Sequence, residues 1–114
     1  MIPRLMQPKL QDLATKFPVV TIIGPRQSGK STLARMAFPE YSYVSLENPS
    51  IRQFAGDDPN GFFATYGSRT IIDEIQRVPQ LFNYLQYEAD KTDEPGQYVL
   101  TGSQNFLLMS LILL

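Results

Sequence analysis

The chain has 114 residues, enough for one modest domain, and its 43% hydrophobic and 18% charged residues match a globular fold and exclude a disordered tail. Ten basic residues against eleven acidic give a net charge of −1 with no basic run, so the composition carries no electrostatic footprint for direct nucleic-acid binding. Cysteine and histidine are both absent, which excludes disulfides and thiolate metal sites and argues against zinc.

The opening Met1-Ile2-Pro3-Arg4-Leu5-Met6-Gln7-Pro8 lacks the long apolar core of a signal peptide, so a cytoplasmic location is the expectation. A first helix is predicted over about Gln7 to Lys16, with Leu10, Leu13, Ala14 and Phe17 on one face. Residues 1–16 then form an extension that packs on the sheet edge or a neighbouring domain, and 17–114 form the core. Phe17-Pro18-Val19-Val20-Thr21-Ile22-Ile23 reads as a strand buried on both faces. A helix follows from Ser31 to Ala37 and ends at Phe38-Pro39-Glu40. Tyr43-Val44-Ser45-Leu46 is a second strand, and a weaker helix covers Ser50 to Ala55. Gly56 to Gly61 reads as a turn cluster, and Phe62 to Tyr66 as a short helix closed by Gly67. Arg69-Thr70-Ile71-Ile72-Asp73-Glu74 is an apolar strand ending in two carboxylates. Val78-Pro79 opens a helix through Leu81, Phe82, Leu85 and Ala89, with Pro79 suited to its first turn. After a turn at Thr92 to Gly96, Gln97 to Gly102 is a fourth strand. Strands alternating with helices predict an α/β fold with a parallel sheet and right-handed crossovers. The final Phe106 to Leu114 is almost wholly apolar and too short to span a bilayer, so it reads as the start of a buried element.

One segment is more informative than the rest. Gly24-Pro25-Arg26-Gln27-Ser28-Gly29-Lys30-Ser31 matches G-x-x-x-x-G-K-[ST] in full. The glycines permit backbone conformations in which successive N–H groups turn inward around phosphate oxygens. Lys30 carries a compact positive charge to the β- and γ-phosphates, the Ser31 hydroxyl is suited to Mg²⁺, and the following helix directs its N-terminal dipole at the phosphates. The nucleotide-binding set is therefore Gly24, Pro25, Arg26, Gln27, Ser28, Gly29, Lys30, Ser31 and Thr32, with the Arg26 charge solvated at a variable position.

In a parallel α/β sheet, ligands sit at the carboxyl ends of the strands, where this loop, Asp73-Glu74 and Thr101-Gly102-Ser103-Gln104-Asn105 all fall. Asp73 is the candidate that orients Mg²⁺ through its waters, beside Ser31. Glu74 is the candidate general base toward an attacking water. Ser103, Gln104 and Asn105 are short polar groups suited to sensing a γ-phosphate, without a choice among them, and Gln76 is either a site contact or exposed. Tyr84 and Tyr87 read as surface or packing residues, and no base-binding pocket is identifiable.

The three ordered motifs, Gly24 to Leu33, Ile71 to Gln76 and Leu100 to Asn105, resemble those of prokaryotic AAA-type ATPases. Within them the chain is similar to the group that joins an N-terminal ATPase domain to a C-terminal domain of unknown function, and Ile2-Pro3-Arg4 fits that group too. The resemblance implies a three-layer P-loop NTPase fold, with Walker A at Gly24 to Ser31, Walker B at Asp73-Glu74 and sensor 1 near Ser103. It implies sheet order 5-1-4-3-2, ATP and Mg²⁺ as ligands, and Glu74, Lys30 and Ser103 as catalytic residues. In that family the chain continues into a fifth strand, an arginine finger, a lid and the second domain. This sequence corresponds to the N-terminal third or less of such a protein, its core incomplete at the C-terminal end. The expectation is Mg²⁺–ATP binding with weak or absent turnover in this segment, since an arginine finger contributes about 10³–10⁵ in rate. The open apolar edge of the first strand is a place for self-association or a protein partner. Two other readings stay open, a non-hydrolysing nucleotide-binding regulatory module and a P-loop small-molecule kinase. A GTPase is disfavoured because Asp73-Glu74-Ile75-Gln76 lacks the glycine of D-x-x-G and no N-K-x-D occurs.

Overall fold

Alternation of apolar side chains along short β-branched strands decides the architecture, because successive residues feed two different cores. The computed structural model describes residues 2–25 and 29–103. Helix α1 (Ile2–Ala14) leads into strand β1 (Val19–Ile23), helix α2 (Lys30–Ala37) and strand β2 (Ser42–Ser45). Helices α3 (Pro49–Asp57) and α4 (Pro59–Tyr66) precede strand β3 (Thr70–Asp73). A 3₁₀ turn at Ile75–Arg77, helix α5 (Leu81–Ala89) and strand β4 (Tyr98–Gly102) follow.

The four strands form one sheet in the order β1-β4-β3-β2, every pair parallel. Val19 lies opposite Tyr98 and Ile23 opposite Gly102, while Ser45 lies opposite Asp73. This is the α/β parallel-sheet class that the sequence predicts, and the order agrees with the 1-4-3-2 part of the implied arrangement. Val20, Ile71 and Val99 face one side and pack with Leu10, Ala14, Leu33, Ala34, Ala37 and Phe38 of the α1–α2 layer. Val19, Val44, Ile72, Tyr98 and Leu100 face the other side, against Ala55, Phe62, Phe63, Leu81 and Leu85 from α3, α4 and α5. Three layers result. Full burial of a large side chain such as Phe62 or Leu81 contributes roughly 1.5–3 kcal/mol of transfer free energy.

Several boundaries differ from the sequence expectation, each for a local reason. Helix α1 starts at Ile2 rather than near Gln7, with Pro3 in its first turn and Pro8 inside it, where one rung of the backbone ladder is lost. It ends at Ala14, with Leu10, Leu13 and Ala14 on the core side, and Phe17 N–H still bonds the Leu13 carbonyl at 2.9 Å, its side chain half-buried. The expected turn cluster at Gly56 to Gly61 is mostly helix. Asn48 caps α3 by accepting from Ser50 and Ile51 N–H at 2.9 and 3.2 Å. Asp58 alone separates α3 from α4 and caps the second by accepting from Gly61 N–H at 3.0 Å. Helix α5 begins two residues later than predicted. Val78, Leu81 and Phe82 donate to carbonyls three residues back, a tight path that buries Ile75, Val78 and Leu81 before the α-helix starts.

Among the described residues, no helix is long and apolar enough to cross a membrane.

Candidate functional site

At the carboxyl end of the sheet, β1 runs into the glycine-rich loop, β3 into Asp73-Glu74, and β4 into Thr101 and Ser103. The β1–β4 pairing extends one residue further, Gly24 N–H donating to the Gly102 carbonyl at 3.2 Å. Gly29 then takes φ +85°, a left-handed conformation that glycine adopts without steric cost, and serves as the N-cap of α2. Its carbonyl accepts from Leu33 N–H at 2.9 Å, so the helix starts with Lys30 and Ser31 in the first turn, facing the strand ends. Arg26, Gln27 and Ser28 of the nucleotide-binding set, and Gln104 and Asn105 of the sensing set, lie outside the described residues.

Asp73 is the hub. It is 4% exposed, and a buried carboxylate needs hydrogen-bond donors to replace water. Three hydroxyls supply them. Ser31 Oγ donates to Oδ1 at 2.7 Å, Thr101 Oγ1 donates to the same oxygen, and the Tyr43 hydroxyl donates to Oδ2 at 2.8 Å. Burial is the main cause that pushes the Tyr43 phenol above its ordinary value; Arg35 opposes the shift and Asp73 adds to it. The phenol therefore keeps its proton and stays a donor. The Arg35 guanidinium carbon lies 3.9 Å from the Tyr43 ring centroid, a cation–π contact that helps to hold the ring.

Glu74 follows in a left-handed conformation (φ 60°, ψ 49°), unusual for a residue with a side chain and costing about 1–3 kcal/mol. Thr101 underwrites that turn, because its Oγ1 accepts from Glu74 N–H at 3.0 Å while donating to Asp73. The Glu74 carboxylate is engaged at both oxygens. Gln76 Nε2 donates to Oε1 at 2.5 Å, and the Lys30 ammonium lies 3.9 Å from Oε2. Lys30 is 6% exposed and also donates to the Pro25 carbonyl at 2.9 Å. Ser103 N–H donates to Gln76 Oε1 at 3.3 Å, which closes a link between the ends of β3 and β4.

These groups line a cleft of about 250 Å³ bounded by Gly29, Lys30, Ser31, Thr32, Glu47, Asp73 and Glu74. A wider groove, about 710 Å³, lies between α4 and α5 and is lined by Phe63, Tyr84, Tyr87 and Lys91 among others. Size favours that groove, but the chemistry favours the cleft. Of the two, the cleft is the one that joins a buried ammonium, a hydroxyl and two buried carboxylates at the carboxyl ends of parallel strands. The paired hydroxyl and carboxylate of Ser31 and Asp73 are hard oxygen donors of the kind Mg²⁺ takes. The donor set therefore fits that ion.

The structure thus brings Gly29, Lys30, Ser31, Thr32, Asp73 and Glu74 together, with the Ser103 backbone beside them through Gln76. Sequence reasoning missed Tyr43 and the bridging part of Thr101, and left Gln76 undecided. A signal for Tyr43 existed: in a parallel pair, Tyr43 and Ser45 share a strand face, so the phenol stands diagonally beside the residue opposite Ser45, which is Asp73.

The comparisons with known proteins agree with this geometry. A model of the AAA domain matches residues 16–113. Two uncharacterized mycobacterial proteins, from Mycobacterium tuberculosis (strain ATCC 25618 / H37Rv) and Mycobacterium bovis (strain ATCC BAA-935 / AF2122/97), are each 35% identical to the chain over 98 residues. The match takes in 83% of this chain and 22% of each relative, so the chain spans about a fifth of the length of the curated relatives it matches. With an all-parallel sheet in the order β1-β4-β3-β2 and a glycine-rich loop at its carboxyl end, the chain belongs to the AAA domain family.

Proposed function

We propose that this segment is the nucleotide-binding core of an AAA-type ATPase, with ATP and Mg²⁺ held at the cleft between the glycine-rich loop and β3. The observation that carries the reading is the Ser31–Asp73 hydrogen bond of 2.7 Å, next to a buried Lys30 and a buried Glu74. A loop with no ligand has no need of a lysine and two carboxylates withdrawn from water in one cleft. Residues 1–16 serve as an extension on this core, and residues 17–114 as part of it.

In this reading Gly24 to Thr32 surround the phosphates, and Lys30 leaves the Pro25 carbonyl to meet the β- and γ-phosphate oxygens. Ser31 and Asp73 are the residues that would hold Mg²⁺. The bound ion would supply charge neutralisation across the phosphates. Hydrolysis is assigned to the full-length protein. There Glu74 accepts a proton from the attacking water as its oxygen bonds to the γ-phosphorus, and the bond to the β–γ bridging oxygen breaks to give ADP and phosphate. Ser103, which follows β4, is the residue assigned in this reading to sensing the γ-phosphate.

Calorimetry of the purified chain with Mg²⁺–ATP and Mg²⁺–GTP, beside Lys30→Ala, tests this. Saturable ATP binding that is lost in the variant is the expected result. Folded protein that binds neither nucleotide, or binds ATP equally well without Lys30, overturns the reading.

A further inference from the structure

We propose that Gln76 is a positioning residue that couples the Glu74 carboxylate to the Ser103 end of β4, so that the pair distinguishes ATP from ADP. The inference rests on the ATP-site reading above and deepens it.

Gln76 sits in the 3₁₀ turn that the left-handed Glu74 makes possible, half-buried and two residues beyond that carboxylate. Its amide meets two partners of opposite kind. Nε2 donates to Glu74 Oε1 at 2.5 Å, and Oε1 accepts from Ser103 N–H at 3.3 Å. Rotating the amide by half a turn would set oxygen against carboxylate and N–H against N–H, so the two contacts hold one orientation and hold it jointly. A shift of the β4 end is therefore felt at Glu74, and a change at Glu74 is felt at β4.

The second carboxylate oxygen explains when this matters. Oε2 faces Lys30 at 3.9 Å, and Lys30 is the group that a bound phosphate draws away. Among the described side chains, Gln76 is then the hydrogen-bond donor left to Glu74. The γ-phosphate arrives with its own negative charge on the side where that carboxylate stands. An amide donor on the carboxylate withdraws part of its charge, and fixes the remaining oxygen in place for a water. ADP brings no γ-phosphate and places no such demand. Removal of Gln76 must therefore weaken ATP more than ADP, and must do so only while position 74 carries a charge.

The test is a double-mutant cycle on nucleotide binding, read by calorimetry with Mg²⁺–ATP and Mg²⁺–ADP on the 114-residue chain. Gln76→Ala is expected to weaken ATP about 3- to 10-fold, the range of one hydrogen bond, with ADP changed by less than about 2-fold. In a Glu74→Gln background, Gln76→Ala is expected to leave the ATP-to-ADP ratio where it was. A residue that only supports the fold would move both nucleotides alike and would do so in both backgrounds; either result overturns the inference. A second comparison covers poor folding of the alanine variant. Gln76→Glu keeps the side-chain length and should lower the ATP-to-ADP ratio, and adding Glu74→Gln to it restores the total charge and an amide–carboxylate pair. Recovery of the ratio to within about 2-fold supports the coupling, and no recovery overturns it. If the wild-type chain binds neither nucleotide, the ATP-site reading itself falls and this inference with it. Wild-type binding with an unselective Gln76→Ala overturns the inference alone.

Discussion

Ser31 and Asp73, separated by 42 positions in the chain, share a hydrogen bond of 2.7 Å across the gap between the first turn of α2 and the end of β3. The serine arrives there because Gly29 turns the chain at φ +85°, and the aspartate because β3 ends one residue before a left-handed turn. Neither position has a packing reason to be polar, as both lie on the margin of an apolar core. Ser31→Ala should therefore raise the Mg²⁺ concentration needed for tight nucleotide binding by roughly 10-fold or more. Nucleotide titrations at stepped Mg²⁺ concentrations measure this, and an unchanged Mg²⁺ requirement would separate Ser31 from the ion.

Two of the three hydroxyls on Asp73, those of Tyr43 and Thr101, are not equivalent, and their removal should rank in a definite order. Tyr43→Phe deletes one donor to a buried carboxylate and keeps the ring, a loss of about 1.5–3 kcal/mol. Thr101→Val deletes a donor to the same carboxylate and also the acceptor for Glu74 N–H, leaving a buried amide without its partner. Its cost should exceed that of Tyr43→Phe by about 1 kcal/mol or more. Urea denaturation of the two variants gives the comparison. Equal midpoints would mean that the left-handed turn at Glu74 does not depend on Thr101.

Much of this arrangement was legible in the sequence because it rests on local signals. The β-branched runs Val19 to Ile23 and Thr70 to Ile72 are strands wherever they are buried on both faces, and the glycine-rich loop carries its own conformational demands. Asp73 and Glu74 could be read because they stand adjacent at a strand end. Tyr43 could not be singled out in the same way, since its contact with Asp73 depends on the β2–β3 register, a property of two strands together. Gln76 stayed undecided for a related reason. Its direction follows from the φ of 60° at Glu74, and no residue-type preference announces a left-handed glutamate. The helices around Asp58 were underestimated because Gly56, Pro59 and Gly61 weigh toward a turn, whereas Asn48 and Asp58 cap two helices that bury Ala55, Phe62 and Phe63.

Gly96 offers a test of how the α1 end is fixed to the sheet. At φ +68° it is left-handed, and a Cβ there would stand 2.8 Å from both the Ala14 carbonyl oxygen and the Tyr41 hydroxyl. The same hydroxyl donates to the Gly96 carbonyl at 2.7 Å, and Gly96 N–H donates to the Phe17 carbonyl at 2.8 Å. Gly96→Ala therefore meets backbone strain and a clash together, and should destabilise the fold by about 1–3 kcal/mol. Thermal unfolding followed by circular dichroism reads the loss. A variant as stable as the parent would show that the Ala14–Gly96 contact yields without cost.

Tyr98 gives the chain a defined alkaline limit. It is 3% exposed, at the start of β4 and buried in the core, its ring 5.6 Å from that of Phe63 in an edge-on arrangement. Burial pushes its phenol up to about 12, and the nearby Glu88 carboxylate acts in the same direction. A phenol whose value is higher folded than unfolded holds its proton better in the native state. Between about pH 10 and pH 12 the folded chain thus binds more protons than the unfolded one, and stability falls as pH rises. The contribution is complete below pH 10 and lost as pH passes through the folded value. Tyr98→Phe removes this titration, so its stability should decline less steeply across the same window than that of the wild type. Urea unfolding at steps from pH 9 to pH 11.5 makes the comparison; parallel slopes for the two proteins would place the alkaline sensitivity elsewhere, with Tyr41 and Tyr43, both also raised by burial, as the next phenols to replace.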